Sequence, residues 1–297
     1  MTPEPLIAWP DPLLELLGFI SVFLAAGAIG FRYFAARGLS AAGADPDGAE
    51  SRFAGAATRR AALWGLVGGI GTLVFFALEL PGAAEEHHLT VFALLTSDPA
   101  TAMRLAFSAL AILGLAAAAR RRGWGWPLAA IGVVGSPLRA ALLGRWLRLA
   151  NPLHELAAGL WIGTLFLMVV VALAPLRKSA LAPERRGALA AGMARAFSPW
   201  ALASFGTLVF FGLNTAWRHL KRLDALWTTP YGYALIVKLC VVSVVLALGA
   251  WNWRRQLPRL GSPAAALDLE RTARIELAAA FVVLLVTSVL VSLPSPR

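Results

Sequence analysis

The sequence has little of what soluble proteins and most enzymes are built from. Its one cysteine, Cys240, lies in an apolar run, which excludes a disulfide framework and a CxxC metal or redox pair. Only 14% of its 297 residues are charged, against about 25% in ordinary soluble domains. No Walker, GxSxG, HExxH or Rossmann glycine motif occurs in a suitable context. These absences exclude a water-soluble globule, ATP-driven pumping and the usual hydrolases, and we expect no enzyme.

The N-terminal segment also lacks the basic start of a signal peptide. It holds Glu4, Asp11 and Glu15, and its first basic residue is Arg32. We therefore expect the first apolar run to be retained as a membrane helix.

Long apolar runs are what the sequence has in abundance. Hydrophobic residues make up 59% of the chain, and a helix needs about 20 mainly apolar residues to cross a bilayer. Eight such runs are bounded by charges, proline or glycine, near 13–34, 61–80, 101–119, 124–143, 153–174, 197–217, 231–251 and 275–293. The sequence predicts an all-α polytopic membrane protein, a bundle of about eight transmembrane helices.

The basic residues indicate how this bundle is oriented. Of the 27 Lys and Arg residues, 18 fall in four connections, at 32–60, 120–122, 177–195 and 254–274. The positive-inside rule places these connections in the cytoplasm and both termini outside. It also accounts for the net charge of +11 without a nucleic acid partner. We expect 35–60 to be a flexible loop, and two four-helix halves, 1–145 and 146–297.

Ionisable residues inside the predicted spans are costly in lipid, which makes them candidates for function. On the outer side, Glu79 ends the second span, and Lys238 lies two turns into the seventh. Lys238 follows Tyr231 by seven residues, so the two share a helical stripe. We expect Lys238 to face the bundle interior and pair with Glu79 or Glu155, as a structural ion pair or in transport.

Two further polar residues lie on the inner side. Asn252 ends the seventh predicted span and Glu276 begins the eighth. Their similar depth would let them hydrogen-bond to each other, in a structural or a functional role.

His154 and Glu155 lie at the outer start of the fifth span, in the stretch LHELAAGLWIG. His154 and Trp161 are seven residues apart and so lie on nearly the same helix face. A neutral imidazole near a carboxylate suits a borderline metal such as Cu(II), and it also suits a haem ligand or a proton relay. The alternative is an interfacial histidine anchored by lipid headgroups and water.

The segment 81–100 contains the most metal-like run in the sequence. Glu85, Glu86, His87 and His88 put four potential ligands side by side, with no basic residue in the segment. They lack the i, i+4 histidine spacing of a helical metal site. The run predicts either a weak capture site for cations or a solvated acidic loop.

The C-terminal third resembles a known family. It carries RAFS at 195–198, TTPYG at 228–232 followed by Lys238, Asn252 with Pro258, and a last helix with Glu276 and Thr287 before LVSLP. Upstream, His154 with Trp161 and Gly163 is similar to an H-x6-W-x-G helix. These pieces together resemble the copper resistance D (CopD) family of bacterial inner-membrane proteins, over about 150–293.

The resemblance implies an eight-helix copper-handling protein of the bacterial inner membrane. Such proteins often work beside a periplasmic copper-binding partner of the CopC type, and His154 becomes the leading metal contact. On this basis we expect a permease that moves copper inward, its oxidation state left open. The alternatives are a non-transporting assembly partner of a copper carrier or copper enzyme, and a haem or redox membrane protein. Membrane lipids are the other expected partner.

Overall fold

Helices form throughout the part of the chain that the structure describes. This structure is a computed structural model, and it describes residues 10–40, 48–220, 222–256 and 263–293. These ranges contain no strand. We number the ten helices α1 Asp11–Leu39, α2 Ala49–Glu86, α3 Val91–Ser97, α4 Pro99–Ala119, α5 Gly125–Leu142, α6 Ala150–Arg177, α7 Pro183–Leu220, α8 Ala225–Thr228, α9 Pro230–Gln256 and α10 Pro263–Ser292.

Seven of these helices are long and apolar enough to cross a membrane: α1, α2, α4, α6, α7, the Pro230–Trp251 part of α9 and the Asp268–Ser292 part of α10. The prediction of an all-α polytopic membrane protein is confirmed. The expected fourth span, near 124–143, forms α5, but α5 is not among the seven. Its 18 residues include Pro137 and Arg139, which dilute its apolar content.

Two predicted connections contain more helix than expected. The segment 35–60 was expected to be a flexible loop, but it includes Arg37–Ser40 and the first turns of α2, which begins at Ala49. The segment 81–100 was expected to be a loop as well. Instead α2 continues through Pro81 to Glu86, and α3 follows. A proline disrupts bonds only to the preceding turn, so a helix with other support continues past it.

Ion pairs join helix ends at each end of the bundle, as the alternation of basic residues between successive connections predicts. Arg185 at the start of α7 forms an ion pair with Glu50 at the start of α2. Arg177 at the end of α6 lies 3.7 Å from Glu270 of α10. At the opposite end of the bundle, Arg104 of α4 pairs with Glu79 of α2. The start of α2, the end of α6, the start of α7 and Glu270 of α10 therefore lie on one side of the bundle.

The centre of the bundle is the crossing of α1 and α6. The buried share of the most apolar stretch is 50% for α1 and 56% for α6. The same share is only 6% for α7 and 11% for α9. A side chain at Gly27 or Gly163 would collide with the backbone of the other helix. Small residues allow such close contact in lipid, where dispersion contacts take the place of the hydrophobic effect. α1 thereby joins α2 to α6 and α10.

Both central helices depart from regular α geometry. π-helical segments occur at Phe31–Ala35 in α1 and at Gly159–Gly163 and Met168–Leu173 in α6. Between the two segments of α6 lies Thr164, which is fully buried and whose hydroxyl has no hydrogen-bond partner in the described part of the chain. Such segments commonly occur at functional sites. The apolar periodicity of the sequence contains no sign of them.

Candidate metal site

His154 is held in place by α7. Its Nδ1 lies 3.0 Å from the backbone carbonyl oxygen of Leu208. A carbonyl only accepts hydrogen bonds, so Nδ1 carries the proton and donates it. The lone pair of the ring is therefore on Nε2, the nitrogen left for a ligand. Metal-binding histidines usually donate their other ring N–H in this way, which fixes the tautomer and the ring orientation.

Gly212 makes room for the imidazole. It lies one helical turn after Leu208 on α7, and a Cβ atom built there would be 3.0 Å from Cε1 and 3.2 Å from Nδ1 of His154. Those distances are shorter than ordinary van der Waals contact. The ring thus packs on the backbone of α7, and His154 is partly buried. Neither Leu208 nor Gly212 has a sequence signal that links it to His154, 54 or more residues away.

Lys238 of α9 lies at a depth in the bundle similar to that of His154. Tyr231 of α9 stacks on His219 of α7, and seven residues from that contact lie Lys238 on α9 and, on α7, Gly212, which packs against His154. No hydrogen bond or ion pair joins Lys238 to any described residue. The expected partners are engaged elsewhere: Glu79 accepts a hydrogen bond from Arg104 at 2.7 Å. The predicted ion pair of Lys238 with Glu79 or Glu155 is therefore wrong for the described part of the chain.

Glu155 belongs to a different polar region from His154. Consecutive residues of a helix point about 100° apart, so these two neighbours contact different helices. Glu155 interacts electrostatically with charged groups of α1, α2, α4 and α5, namely Glu15, Glu79, Arg104 and Arg139. The guanidinium of Arg104 also lies 4.6 Å above the ring of Phe76. The structure thus does not bring His154 and Glu155 together as a pair of ligands.

The acidic and histidine run at the end of α2 is exposed. Glu85, Glu86, His87 and His88 all lie at the surface, and the Nδ1 of His87 is 3.1 Å from the carbonyl oxygen of Ala83. His88 adopts a positive φ of 53°, which ends the helix. Within the described ranges, no group of three or more His, Cys, Asp or Glu side chains is close enough to hold a metal ion.

The TTPYG stretch forms the turn between α8 and α9. Thr229 caps α9: its Oγ1 accepts a hydrogen bond from the Gly232 amide at 3.0 Å and donates one to the Ala225 carbonyl at 2.7 Å. A side chain at Gly232 would collide with the same Ala225 carbonyl. Tyr231 is buried, and its ring stacks on His219 at 5.9 Å. The motif therefore fixes how α9, and with it Lys238, enters the bundle.

The remaining predicted polar residues lie far along the chain from this turn. Glu276 is a half-buried residue of α10. The side chain of Asn252 falls outside the described residues, so the predicted pairing of the two stays a prediction. Glu270, which the sequence reasoning missed, is buried and accepts a hydrogen bond from Arg274 at 2.6 Å. The i, i+4 spacing of Glu270 and Arg274 is the sequence signal that could have identified it.

A second histidine does not face His154. The four histidines of the chain are all described, and His219 lies seven residues beyond Gly212, about 10 Å further along α7. Bis-histidine haem ligation needs two imidazoles on facing helices. The geometry of the described residues does not favour the hypothesis of a haem protein.

Comparison with known protein families gives a match in the C-terminal part of the chain, where most of the motifs quoted above lie. Residues 191–290 match the family described as Copper resistance protein D (CopD). The chain is also 34% identical, over 146 residues, to the "Copper transport protein CutJ" of Bacillus subtilis (strain 168). That alignment covers 48% of this chain and 25% of the relative, so the chain spans about a quarter of the length of this curated protein. No solved structure matches the chain. Together, the two matches show that this multi-pass membrane protein resembles the CopD family over residues 191–290 and a protein named for copper transport over 146 residues.

Proposed function

We propose that the chain is a copper permease of the bacterial inner membrane, which takes copper from the periplasm, and that His154 is its metal contact. One observation carries the proposal: the Nδ1–H of His154 is engaged by Leu208, which leaves Nε2 free for a metal. Because the ring lies in the first turns of a spanning helix, a metal on Nε2 would be at the outer mouth of the bundle. The name of the curated relative supports copper as the cargo.

The exposed run Glu85, Glu86, His87 and His88 is proposed as an outer capture site, ahead of His154 and Glu155. Carboxylate and imidazole donors suit Cu(II), and a weak site passes its ion on easily. A CopC-type periplasmic protein would be the copper donor. The halves 1–145 and 146–297 are proposed as the two parts of the bundle, joined by α1.

Copper uptake into proteoliposomes tests the proposal. Purified protein is supplied separately with Cu(I) and Cu(II), with and without a proton gradient, and accumulated copper is counted. Saturable uptake is expected for the wild type, and a loss to the level of empty liposomes for His154→Ala. The matched variant His87→Ala/His88→Ala should keep its maximal rate and need more copper to reach it. Unchanged uptake in His154→Ala would remove His154 from the route.

A second candidate is a non-transporting assembly partner of a copper carrier or copper enzyme. It is favoured by the single histidine at the site, since no described group of three ligands surrounds it. This function predicts uptake at background in folded wild-type protein. It also predicts copper-independent co-purification with a periplasmic or membrane copper protein.

A further inference from the structure

Lys238 is a membrane-embedded cation for which the described residues provide no counter-ion. It lies eight residues, or about 12 Å, from the start of α9 at Pro230, and its side chain is half-buried. No described carboxylate forms an ion pair with it, and it donates no hydrogen bond to a described residue. A charge in this position is costly unless a partner or water compensates it. A negatively charged ligand would supply the partner that the described residues do not.

The same ammonium lowers the affinity of the His154 site for a bare metal cation. Lys238 and Gly212, which packs against His154, each lie seven residues from the Tyr231–His219 stack, so the ammonium is at the depth of the ring whose Nε2 is available for a metal. A divalent ion at Nε2 would be repelled by Lys238, and no described carboxylate is placed to offset that repulsion, because Glu155 interacts with other helices. One imidazole also supplies only one of the several ligands that copper requires. The site beside His154 thus needs both further ligands for copper and a negative charge to compensate Lys238.

Both requirements are met by one kind of molecule. We propose that the species bound at His154 is a copper(II) chelate with a carboxylate-bearing small molecule, which carries a net negative charge and has one open coordination position. Nε2 of His154 takes the open position, and the ammonium of Lys238 pairs with a carboxylate of the chelator. This inference rests on the proposed function, since it names the form of copper that the site accepts.

The arrangement of donors agrees with copper(II). Imidazole nitrogen and carboxylate oxygen suit Cu(II), whereas Cu(I) prefers thiolate and thioether sulfur. The nearest methionine along α6, Met168, lies 14 residues from His154 and is buried in the central apolar core. The single cysteine, Cys240, is exposed on α9 two residues from Lys238, and the chain has no other cysteine to join it as a copper(I) ligand.

Chelates of different charge test the proposal on the full-length protein in detergent. Three copper(II) probes each leave room for one imidazole: the nitrilotriacetate complex has one negative charge, the iminodiacetate complex is neutral, and the diethylenetriamine complex has two positive charges. Binding is followed by the nitrogen coupling in the copper EPR spectrum. Relative to their affinities for free imidazole, the wild type should bind them in that order of decreasing affinity, and this measurement needs no variant.

Lys238→Gln then gives the decisive comparison. It should weaken binding of the negative complex by roughly 3- to 10-fold, the scale of one charge-assisted contact, and strengthen binding of the positive complex. Lys238→Arg should restore the wild-type order. A merely structural lysine would shift both affinities in the same direction, and a lysine paired with lipid phosphate would shift neither. Either of those results, or a wild-type preference for the positive complex, would overturn the inference.

The same experiment separates this inference from the proposed function. If His154→Ala binds all three probes as the wild type does, His154 is not the metal contact and the proposed function fails. If binding depends on His154 but not on the charge of the chelate, the proposed function stands and only the inference about the chelate fails.

Discussion

The packing of His154 on Gly212 makes a prediction that can be worked out from the structure. Gly212→Ala adds a methyl group 3.0 Å from Cε1 and 3.2 Å from Nδ1 of the ring, so the ring must move by a few tenths of an ångström. The hydrogen bond from Nδ1 to the Leu208 carbonyl, now 3.0 Å long, is then strained. A bond of this kind contributes about 1 kcal/mol, and its loss corresponds to about a fivefold weaker copper affinity at Nε2.

Gly206→Ala is the matched control for this prediction. Gly206 lies on the same helix, and a Cβ atom there meets no atom within 4 Å. Alanine favours the helix over glycine by about 1 kcal/mol, so both variants gain that contribution. Gly206→Ala should therefore unfold at higher temperature and bind copper as the wild type does. Gly212→Ala should gain less stability and bind copper about fivefold more weakly, measured by tryptophan fluorescence on heating and by copper titration. Equal stability gains and equal affinities would refute the packing of His154 on α7.

Three further predictions concern helix ends. Thr229→Ala removes the cap of α9 and should destabilise the protein by about 1 kcal/mol in thermal unfolding, with copper affinity at His154 little changed. Gly232→Ala forces α8 and α9 apart and should cost more, about 1–3 kcal/mol, seen as a lower unfolding temperature and lower yield in the membrane. Asp98 caps α4, and hydrogen bonds from the hydroxyl and amide of Thr101 hold its pKa below the usual 3.8. Because its pKa is lowered, the ionised Asp98 carboxylate stabilises the fold at pH values above 3.8, and this stabilisation is lost as the pH falls through the lowered pKa. The destabilisation by Asp98→Ala should therefore be present at pH 7 and disappear in acid.

Much of the fold follows from the sequence because lipid imposes a simple rule. Each span must satisfy its own backbone hydrogen bonds, so a long apolar run forms a helix whatever surrounds it. Arginine positions then predict which helix ends lie together, and the pairs Arg185–Glu50 and Arg104–Glu79 agree with that prediction. The π-helical segments of α6 were not predictable from apolar periodicity: Gly159–Gly163 packs against α1, and Met168–Leu173 packs against α2 and α10.

The candidate site was predicted only one residue at a time. His154 is recognisable because a histidine at the start of an apolar run is unusual, and Lys238 because it interrupts one. Their neighbours are determined by how α6, α7 and α9 pack, which one sequence does not give. Charge complementarity suggested a Lys238–Glu79 pair, but Arg104 lies nearer to Glu79 and forms that pair instead.

The central claim is that Nε2 of His154 binds copper, and electron spin echo envelope modulation of the copper(II)-loaded protein tests it most directly. This measurement detects the remote nitrogen of a coordinated imidazole, here Nδ1 with its hydrogen bond to Leu208. The account predicts the modulation of one imidazole, retained in His87→Ala/His88→Ala and absent from His154→Ala. Modulation that persists in His154→Ala and disappears from His87→Ala/His88→Ala would contradict it and would assign copper to the exposed end of α2.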